Sequence, residues 1–161
     1  MKTMHAALAP RGFALLSLLI LVAMIGIAAS ATVAVGSVVQ RRSAEEDLLE
    51  IGREFQMALQ SYASATPAGQ PAYPATLQDL LKDPRVPGMR RHLRQLYADP
   101  LTGRAEWGLI PAPNGHGVAG IFSLSDRQPI KLDNFDAEFV GFAHRRAYAE
   151  WQFRAGQSIG H

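Results

Sequence analysis

The stretch from Gly12 to Val39 is apolar and contains no charged residue, and it constrains the fold of this chain more than any other feature. At about 1.5 Å per residue, a helix of this length is sufficient to cross a hydrocarbon core of about 30 Å. The sequence therefore predicts a membrane-spanning helix over residues 13–39, preceded by a leader over residues 1–12.

The leader is basic, because it contains Lys2 and Arg11 and no acidic residue. Positive charge beside a membrane helix favours the cytoplasmic side, so the leader is expected inside the cell and the rest of the chain outside the cytoplasm. Pro10 and Gly12 oppose helix formation just before the apolar run. An extended segment that a protease can reach is therefore expected there.

The order Arg11-Gly12-Phe13, directly before an apolar helix, resembles the processing site of type IV prepilins and type II secretion pseudopilins. The resemblance implies that a prepilin peptidase recognises the leader at Arg11, cuts between Gly12 and Phe13 and methylates the new amino group of Phe13. It also implies a single-pass inner-membrane protein with a cytoplasmic N-terminus and a periplasmic head, later extracted into a filament. The implied partners are other pilin-like subunits, the peptidase, the inner-membrane assembly platform and membrane lipid.

One position departs from the family pattern, in which a glutamate usually stands four residues after the phenylalanine. This chain has Ser17 there. In the family, that carboxylate is implied to pair with the N-terminal ammonium of a neighbouring subunit, a charge that Ser17 cannot supply. The departure favours a minor or terminal subunit. The positions expected to pack against other helices in the filament are Ser17, Gly26, Ala28, Thr32 and Gly36.

Two alternatives for the apolar run remain open. Ala29-Ser30-Ala31 has the small-x-small form of a signal-peptidase site, so the run could be a secretory signal peptide with the mature chain starting at Thr32. It could also be an uncleaved signal anchor. Either alternative would give a secreted or membrane-anchored monomeric binding protein in the periplasm in place of a filament subunit.

The helical pattern continues beyond the apolar run, over residues 40–65. Apolar residues recur there at steps of three or four, which predicts an amphipathic continuation of the same helix. The stripe consists of Leu48, Ile51, Phe55, Leu59 and Tyr62. The charges over residues 41–47 indicate either a solvated helix face or contacts between subunits.

The remaining residues, 66–161, are expected to form a periplasmic head, and the fold class is α+β and pilin-like: a long N-terminal helix packed on a small antiparallel sheet with short helices. The predicted elements are a short helix capped by Thr76 with Asp79, a second helix over residues 88–97, hairpin strands at 106–110 and 118–124, a helix through Phe135, Phe139 and Phe142, and a last strand containing Trp151 and Phe153. The order of these elements through the hairpin resembles the head of the major-type pseudopilins.

An arginine cluster gives the head its main candidate partner surface. It comprises Arg85, Arg90, Arg91 and Arg94. It could contact acidic protein, lipid headgroups or nucleic acid, and a solvated face is the alternative. Nucleic acid is disfavoured, because the net charge is +2 and Tyr97 is the only aromatic residue beside the cluster.

The sequence contains no local motif for catalysis, so the chain is not expected to be an enzyme, and a secreted enzyme is the remaining alternative. It has no cysteine, and its histidines lack the spacing of a zinc site. Major-type pseudopilins, which the head resembles, bind calcium after the hairpin, so Asp126, Asp133 and Asp136 are the candidate ligands. They are too widely spaced for a calcium loop, and neither a metal nor another cofactor is predicted.

Overall fold

A computed structural model describes residues 11–156, apart from the side chains of residues 11–13 and 26–36. The chain divides into two units, residues 1–40 and 41–161. Helix α1 spans Arg11–Ser64, in agreement with the predicted helix over residues 13–65. The predicted processing site, Gly12 and Phe13, and the packing positions Gly26, Ala28, Thr32 and Gly36 lie outside the described side chains.

In the first unit, the described large apolar side chains of α1 are all more than half exposed, from Leu15 to Val39. Ser17 is exposed among them. Within the described residues, no helix combines the length and the apolar character needed to cross a membrane.

In the second unit, α1 packs through the predicted apolar stripe. Leu48, Phe55, Leu59 and Tyr62 are buried and belong to the main core, while Ile51 is partly buried against it. The spacing of these residues brings them to one face of the helix, and the rest of the unit covers that face.

The sheet of the second unit has three antiparallel strands, β1 (Gly108–Pro111), β2 (Val118–Phe122) and β3 (Gln152–Arg154), in the order β1-β2-β3. The predicted hairpin and the predicted last strand beside it are confirmed. Together with α1 and short helices, this small antiparallel sheet gives an α+β fold.

Two glycines have structural roles, one in the hairpin turn and one where α1 contacts the sheet. Gly117, in the hairpin turn, has φ +93°, a left-handed conformation that other residues adopt only with strain. On α1, a Cβ at Gly52 would overlap the ring of Phe153 in β3. The close approach of the helix to the sheet therefore depends on the missing side chain at Gly52.

The short helices of the head are 3-10 helices, at Leu77–Leu80, Ala137–Phe142 and Tyr148–Glu150. The first begins where it was predicted, because the carboxylate of Asp79 accepts a hydrogen bond from the backbone N–H of Thr76 at 3.1 Å. The second contains Phe139 and Phe142 of the predicted aromatic helix.

The predicted helix over residues 88–97 is wrong, because this segment has no regular secondary structure. The backbone N–H groups of His92 and Leu93 both donate to the carbonyl of Leu80, at 2.8 and 2.9 Å. The carbonyl of Arg90 accepts from the N–H of Asp83 at 3.0 Å. These bonds tie the segment to the preceding loop and replace the bonds that a helix would make within itself.

Aromatic side chains dominate the core at the C-terminal end of the described chain. The rings of Phe142 and Trp151 are stacked, with centroids 5.4 Å apart, and Phe153 lies edge-on to Phe142 at 5.1 Å. Phe139 and Tyr148 complete the cluster, and all five side chains are buried. Their extensive apolar surface provides much of the stabilisation that brings these short elements together.

Candidate functional site

Among the described residues, three carboxylates are buried in the second unit, those of Glu45, Asp83 and Asp99. A buried carboxylate is stable only when its oxygens are hydrogen-bonded or paired with positive charge. Each of the three holds an irregular segment of the chain in place.

Asp83 and Arg85 form an ion pair whose side chains are 0% and 4% exposed. Nε of Arg85 donates to Oδ1 of Asp83 at 2.9 Å, and Nη2 donates to Oδ2 at 2.8 Å, so the pair is bidentate. The backbone N–H of Arg85 adds a third bond, to Oδ1 at 3.0 Å. The Arg85 hydrogen bonds hold the pKa of Asp83 well below its usual range, although burial acts in the opposite direction.

Arg85 also caps the C-terminal end of α1. Its Nη2 donates to the carbonyl of Tyr62, and its Nη1 donates to Oγ1 of Thr66 and to the carbonyl of Pro71, each at 2.8 Å. The guanidinium carbon lies 3.4 Å from the centroid of the Tyr62 ring. Positive charge is thereby placed where the helix dipole is negative.

These contacts correct the sequence interpretation of Arg85 as part of an exposed partner surface. Every N–H group of its guanidinium is engaged within the chain, and a planar fork used in this way has no donor left for a ligand. Arg85 is therefore a structural anchor of the loop that follows α1.

His92 extends the ion pair towards α1, with a side chain that is 2% exposed. Its Nε2 lies 3.3 Å from Oδ2 of Asp83, and its Nδ1 lies 2.8 Å from Oγ of Ser61. The imidazole also packs edge-on against the ring of Tyr62, with centroids 5.3 Å apart. The result is a continuous polar connection from the end of α1 to the loop at residues 83–92.

Ser61, His92 and Asp83 are the residue types of a hydrolase triad, but their surroundings do not suit nucleophilic catalysis. Asp83 is already paired with Arg85, which reduces its ability to stabilise a protonated imidazole. Ser61 lies in the last turn of α1, where the partial negative charge of the helix end would oppose an oxyanion. We interpret the arrangement as a clamp on the loop.

Glu45 forms the second clamp, between α1 and the segment after the hairpin. Its Oε1 accepts from the backbone N–H of Ile130 at 2.5 Å and of Lys131 at 3.2 Å, and from the hydroxyl of Tyr148 at 2.7 Å. Burial, and then the hydrogen bond to Glu45, raises the pKa of Tyr148 to about 12.

The charges over residues 41–47 therefore divide between two environments. Glu45 faces the interior, and Arg41 donates from Nη2 to the carbonyl of Gln128 at 3.0 Å. Arg42 and Glu46 remain on the exposed face, 4.0 Å apart and one helical turn from each other. Only this exposed face is available to a partner.

Asp99 forms the third clamp, between the loop at residues 99–104 and the end of β2. Its Oδ2 accepts from the hydroxyl of Ser123 at 2.7 Å, and its Oδ1 accepts from the N–H of Leu101 at 2.9 Å. The oxygen of Ser123 in turn accepts from the N–H of Ser125 at 3.1 Å. This chain of bonds explains why the strand predicted through residue 124 ends at Phe122.

Sequence reasoning missed these clamps, although a signal for two of them was present. Asp83 and Asp99 each precede a proline, and each accepts from the N–H two residues further on, as an aspartate that initiates a turn does. Glu45 gave no comparable signal, because its partners lie about 85 and 103 residues away.

The other three arginines of the predicted surface are exposed, and we call Arg90, Arg91 and Arg94 the arginine platform. Between them, His92 and Leu93 point inward. Within residues 11–156, no hydrogen bond or ion pair engages the three guanidinium groups. The platform is thus a set of exposed cations on a backbone segment fixed by buried neighbours.

The three aspartates named as candidate metal ligands have different surroundings. Oδ1 of Asp133 is 3.0 Å from Nε2 of His144, Oδ2 of Asp136 accepts from Arg53 at 3.2 Å, and Asp126 is exposed. Within the described range, no group of three or more histidine or acidic residues could hold a metal ion.

Comparisons with known proteins add no further assignment. No protein-family model matches the chain. No curated protein and no solved structure is significantly similar to it.

Proposed function

We propose that this chain is a minor pilin-like subunit that acts by assembling into a type II secretion pseudopilus or a type IV pilus-like filament. The observation that carries the proposal is the contrast along α1. Residues 41–64 are packed through one apolar stripe, whereas the described side chains of residues 14–25 and 37–40 are exposed. One helix thus carries two kinds of surface.

The exposed part of α1 is suited to an apolar environment rather than to water. Its large apolar residues occupy consecutive positions, for example Leu18 to Val22, so they surround the helix and do not form a stripe. A contiguous apolar surface of this kind marks a site of contact with lipid or with other apolar surfaces. A filament subunit meets both, first in the inner membrane and then in the helical core of the filament.

The basic leader and the Arg11-Gly12-Phe13 sequence support the route to that state. In the proposal, the chain inserts with its N-terminus in the cytoplasm and its head in the periplasm. Prepilin peptidase removes the leader after Gly12 and methylates Phe13, and an inner-membrane assembly platform extracts the subunit. The motive force comes from other components, and this chain contributes a helix and a head.

The mature N-terminus tests the proposal directly. Mass spectrometry of the full chain purified from membranes is expected to find a first residue Phe13 bearing one added methyl group. A Gly12→Val variant, or cells without prepilin peptidase, should retain the leader, while a Gly36→Ala variant should be processed normally. An intact leader in the normal chain, or a start at Thr32, would contradict the proposal.

Assembly is tested separately by cross-linking, which is straightforward because the chain has no cysteine. Chains with Ala28→Cys or Thr32→Cys are expected to form disulfides between copies in membranes. A monomeric binding protein would give no such products at any expression level.

A further inference from the structure

We propose that the arginine platform binds an acidic face of α1 on a second copy of this chain, so that heads associate head to tail. This inference rests on the proposed function, because it names the partner of the head within the filament. It concerns Arg90, Arg91 and Arg94 on one copy, and the exposed acids of residues 46–50 on the other.

The platform is preorganised for binding. Leu93 is buried in the core, and His92 is fixed between Asp83 and Ser61. The backbone N–H groups of both residues donate to the carbonyl of Leu80. Because the backbone is held in place, the arginines lose less conformational entropy on binding than they would on a mobile loop.

The chemistry of the platform selects an anionic partner. Three exposed guanidinium groups within five residues repel one another, and within the described chain none of them is neutralised. Guanidinium groups favour carboxylates, with which they form bidentate hydrogen bonds, and arginine is enriched at the centres of protein interfaces. Contact with carboxylates would relieve the repulsion.

The second unit also displays suitable carboxylates, on α1. Glu46, Asp47 and Glu50 are exposed, and Glu46 and Glu50 lie one turn apart on the same face. The one basic neighbour that pairs with them in the described chain is Arg42, whose Nε is 4.0 Å from Glu46. An exposed pair at that distance contributes little, so these acids are accessible to a stronger cationic partner.

The platform and the acids of one copy are separated along α1. His92 attaches the platform to α1 at Ser61. Along the helix, Ser61 lies about 16 Å from Glu50, at 1.5 Å per residue. A second copy displaced along the helix axis can bring its platform to the acids of the first. Two different surfaces then meet, so the contact is heterologous and differs from that of a symmetric pair.

Mixed cross-linking of full-length chains in membranes tests the contact. One chain carries Arg94→Cys and the other Glu50→Cys, and a disulfide-linked dimer is expected only when both are present. Replacing Arg94→Cys by Arg104→Cys, at another exposed arginine of the head, gives the matched control and should yield no dimer. Disulfides between two Arg94→Cys chains would indicate a symmetric contact and overturn the proposal.

Charge reversal supplies an independent measurement in the same membranes. With all three platform arginines changed to glutamate, the head contact is followed between Met89→Cys, at an exposed residue beside the platform, on one copy and Glu50→Cys on the other. This cross-link is expected to fall about tenfold, while the helix cross-link at Ala28→Cys should not change. Supplying a partner with Glu46→Arg and Asp47→Arg should restore the head contact. Unchanged head cross-linking after reversal, or capture of the platform by anionic vesicles in preference to a second copy, would overturn the inference.

The helix cross-links keep this inference distinct from the proposed function. If disulfides at Ala28→Cys form while those between the platform and α1 do not, the head contact is wrong and the filament assignment stands. If neither forms, the assembly proposal itself fails.

Discussion

Nε of Arg85 lies 2.9 Å from Oδ1 of Asp83, and the same guanidinium donates to the carbonyl of Tyr62 in the last turns of α1. A single side chain thus neutralises a buried acid and caps a long helix. This relationship explains how a head with little regular secondary structure is held to α1 in a defined position.

Removing the guanidinium should be costly because Asp83 would remain buried without a counter-charge. We expect Arg85→Ala to lower the free energy of unfolding of the head by about 3–5 kcal/mol. Arg91→Ala, which alters an exposed arginine, should change it by less than about 0.5 kcal/mol. Urea unfolding of the full chain in detergent, followed by tryptophan fluorescence, measures both. Equal stability of the two variants would show that the ion pair does not anchor the loop.

Acidic pH should weaken the ion pair between Asp83 and Arg85. The folded-state pKa of Asp83 is lowered, so its contribution to stability is fully present above the unfolded-state pKa of about 3.9 and is lost as the pH falls through the folded-state pKa. Between pH 7 and pH 3, Asp83→Asn should therefore lose less of its stability than the unaltered chain does. Thermal unfolding at a series of pH values gives the comparison, and parallel curves would contradict it.

The contribution of Tyr148 to stability should be lost at high pH rather than at low pH. Its pKa is raised to about 12, so its contribution to stability is present below the unfolded-state pKa of about 10 and is lost as the pH rises towards about 12. Tyr148→Phe removes the hydroxyl that donates to Glu45 and should cost about 1–2 kcal/mol at neutral pH. It should also remove the latest step in the ultraviolet titration of tyrosine. A titration unchanged by the substitution would place the high pKa elsewhere.

The contact between α1 and the sheet gives a steric prediction. Gly52→Val should destabilise the head by about 1–3 kcal/mol, because a side chain there would push the ring of Phe153 out of the core. Gly141→Val is the control, since no atom lies within 4 Å of a Cβ at Gly141. Denaturant midpoints of the two variants decide the matter: a midpoint for Gly52→Val equal to that of Gly141→Val would show that the helix can move away from the sheet at no cost.

Local patterns predicted the parts of the fold that local contacts determine. The apolar stripe of α1 and the hairpin are visible in the sequence, because side-chain periodicity and turn residues act over a few positions. The helix predicted at residues 88–97 failed for the complementary reason. Its amphipathic pattern was outweighed by the bonds from His92 and Leu93 to Leu80 and by the link from His92 to Ser61, which depend on tertiary structure.

The candidate site divides in the same way. A cluster of arginines was visible in the sequence, but which of them would be buried was not. Arg85 follows Asp83 in an Asp-Pro turn, whereas Arg90, Arg91 and Arg94 surround two inward-facing residues. Which arginine anchors the loop and which arginines are available to a partner is therefore determined by how the loop folds.

A substitution at position 17 tests what positions the subunit in a filament. If this chain assembles as proposed, Ser17→Glu supplies a carboxylate that can pair with the methylated N-terminus of a neighbouring copy, an attraction that is strong in lipid. Incorporation into filaments should rise, or the position of the subunit should change, as measured by the amount of the chain in sheared filament fractions. Ser37→Glu places the same charge far from the N-terminus and should give no gain. If Ser17→Glu and the unaltered chain assemble equally, the absence of the glutamate does not define this subunit as a minor one.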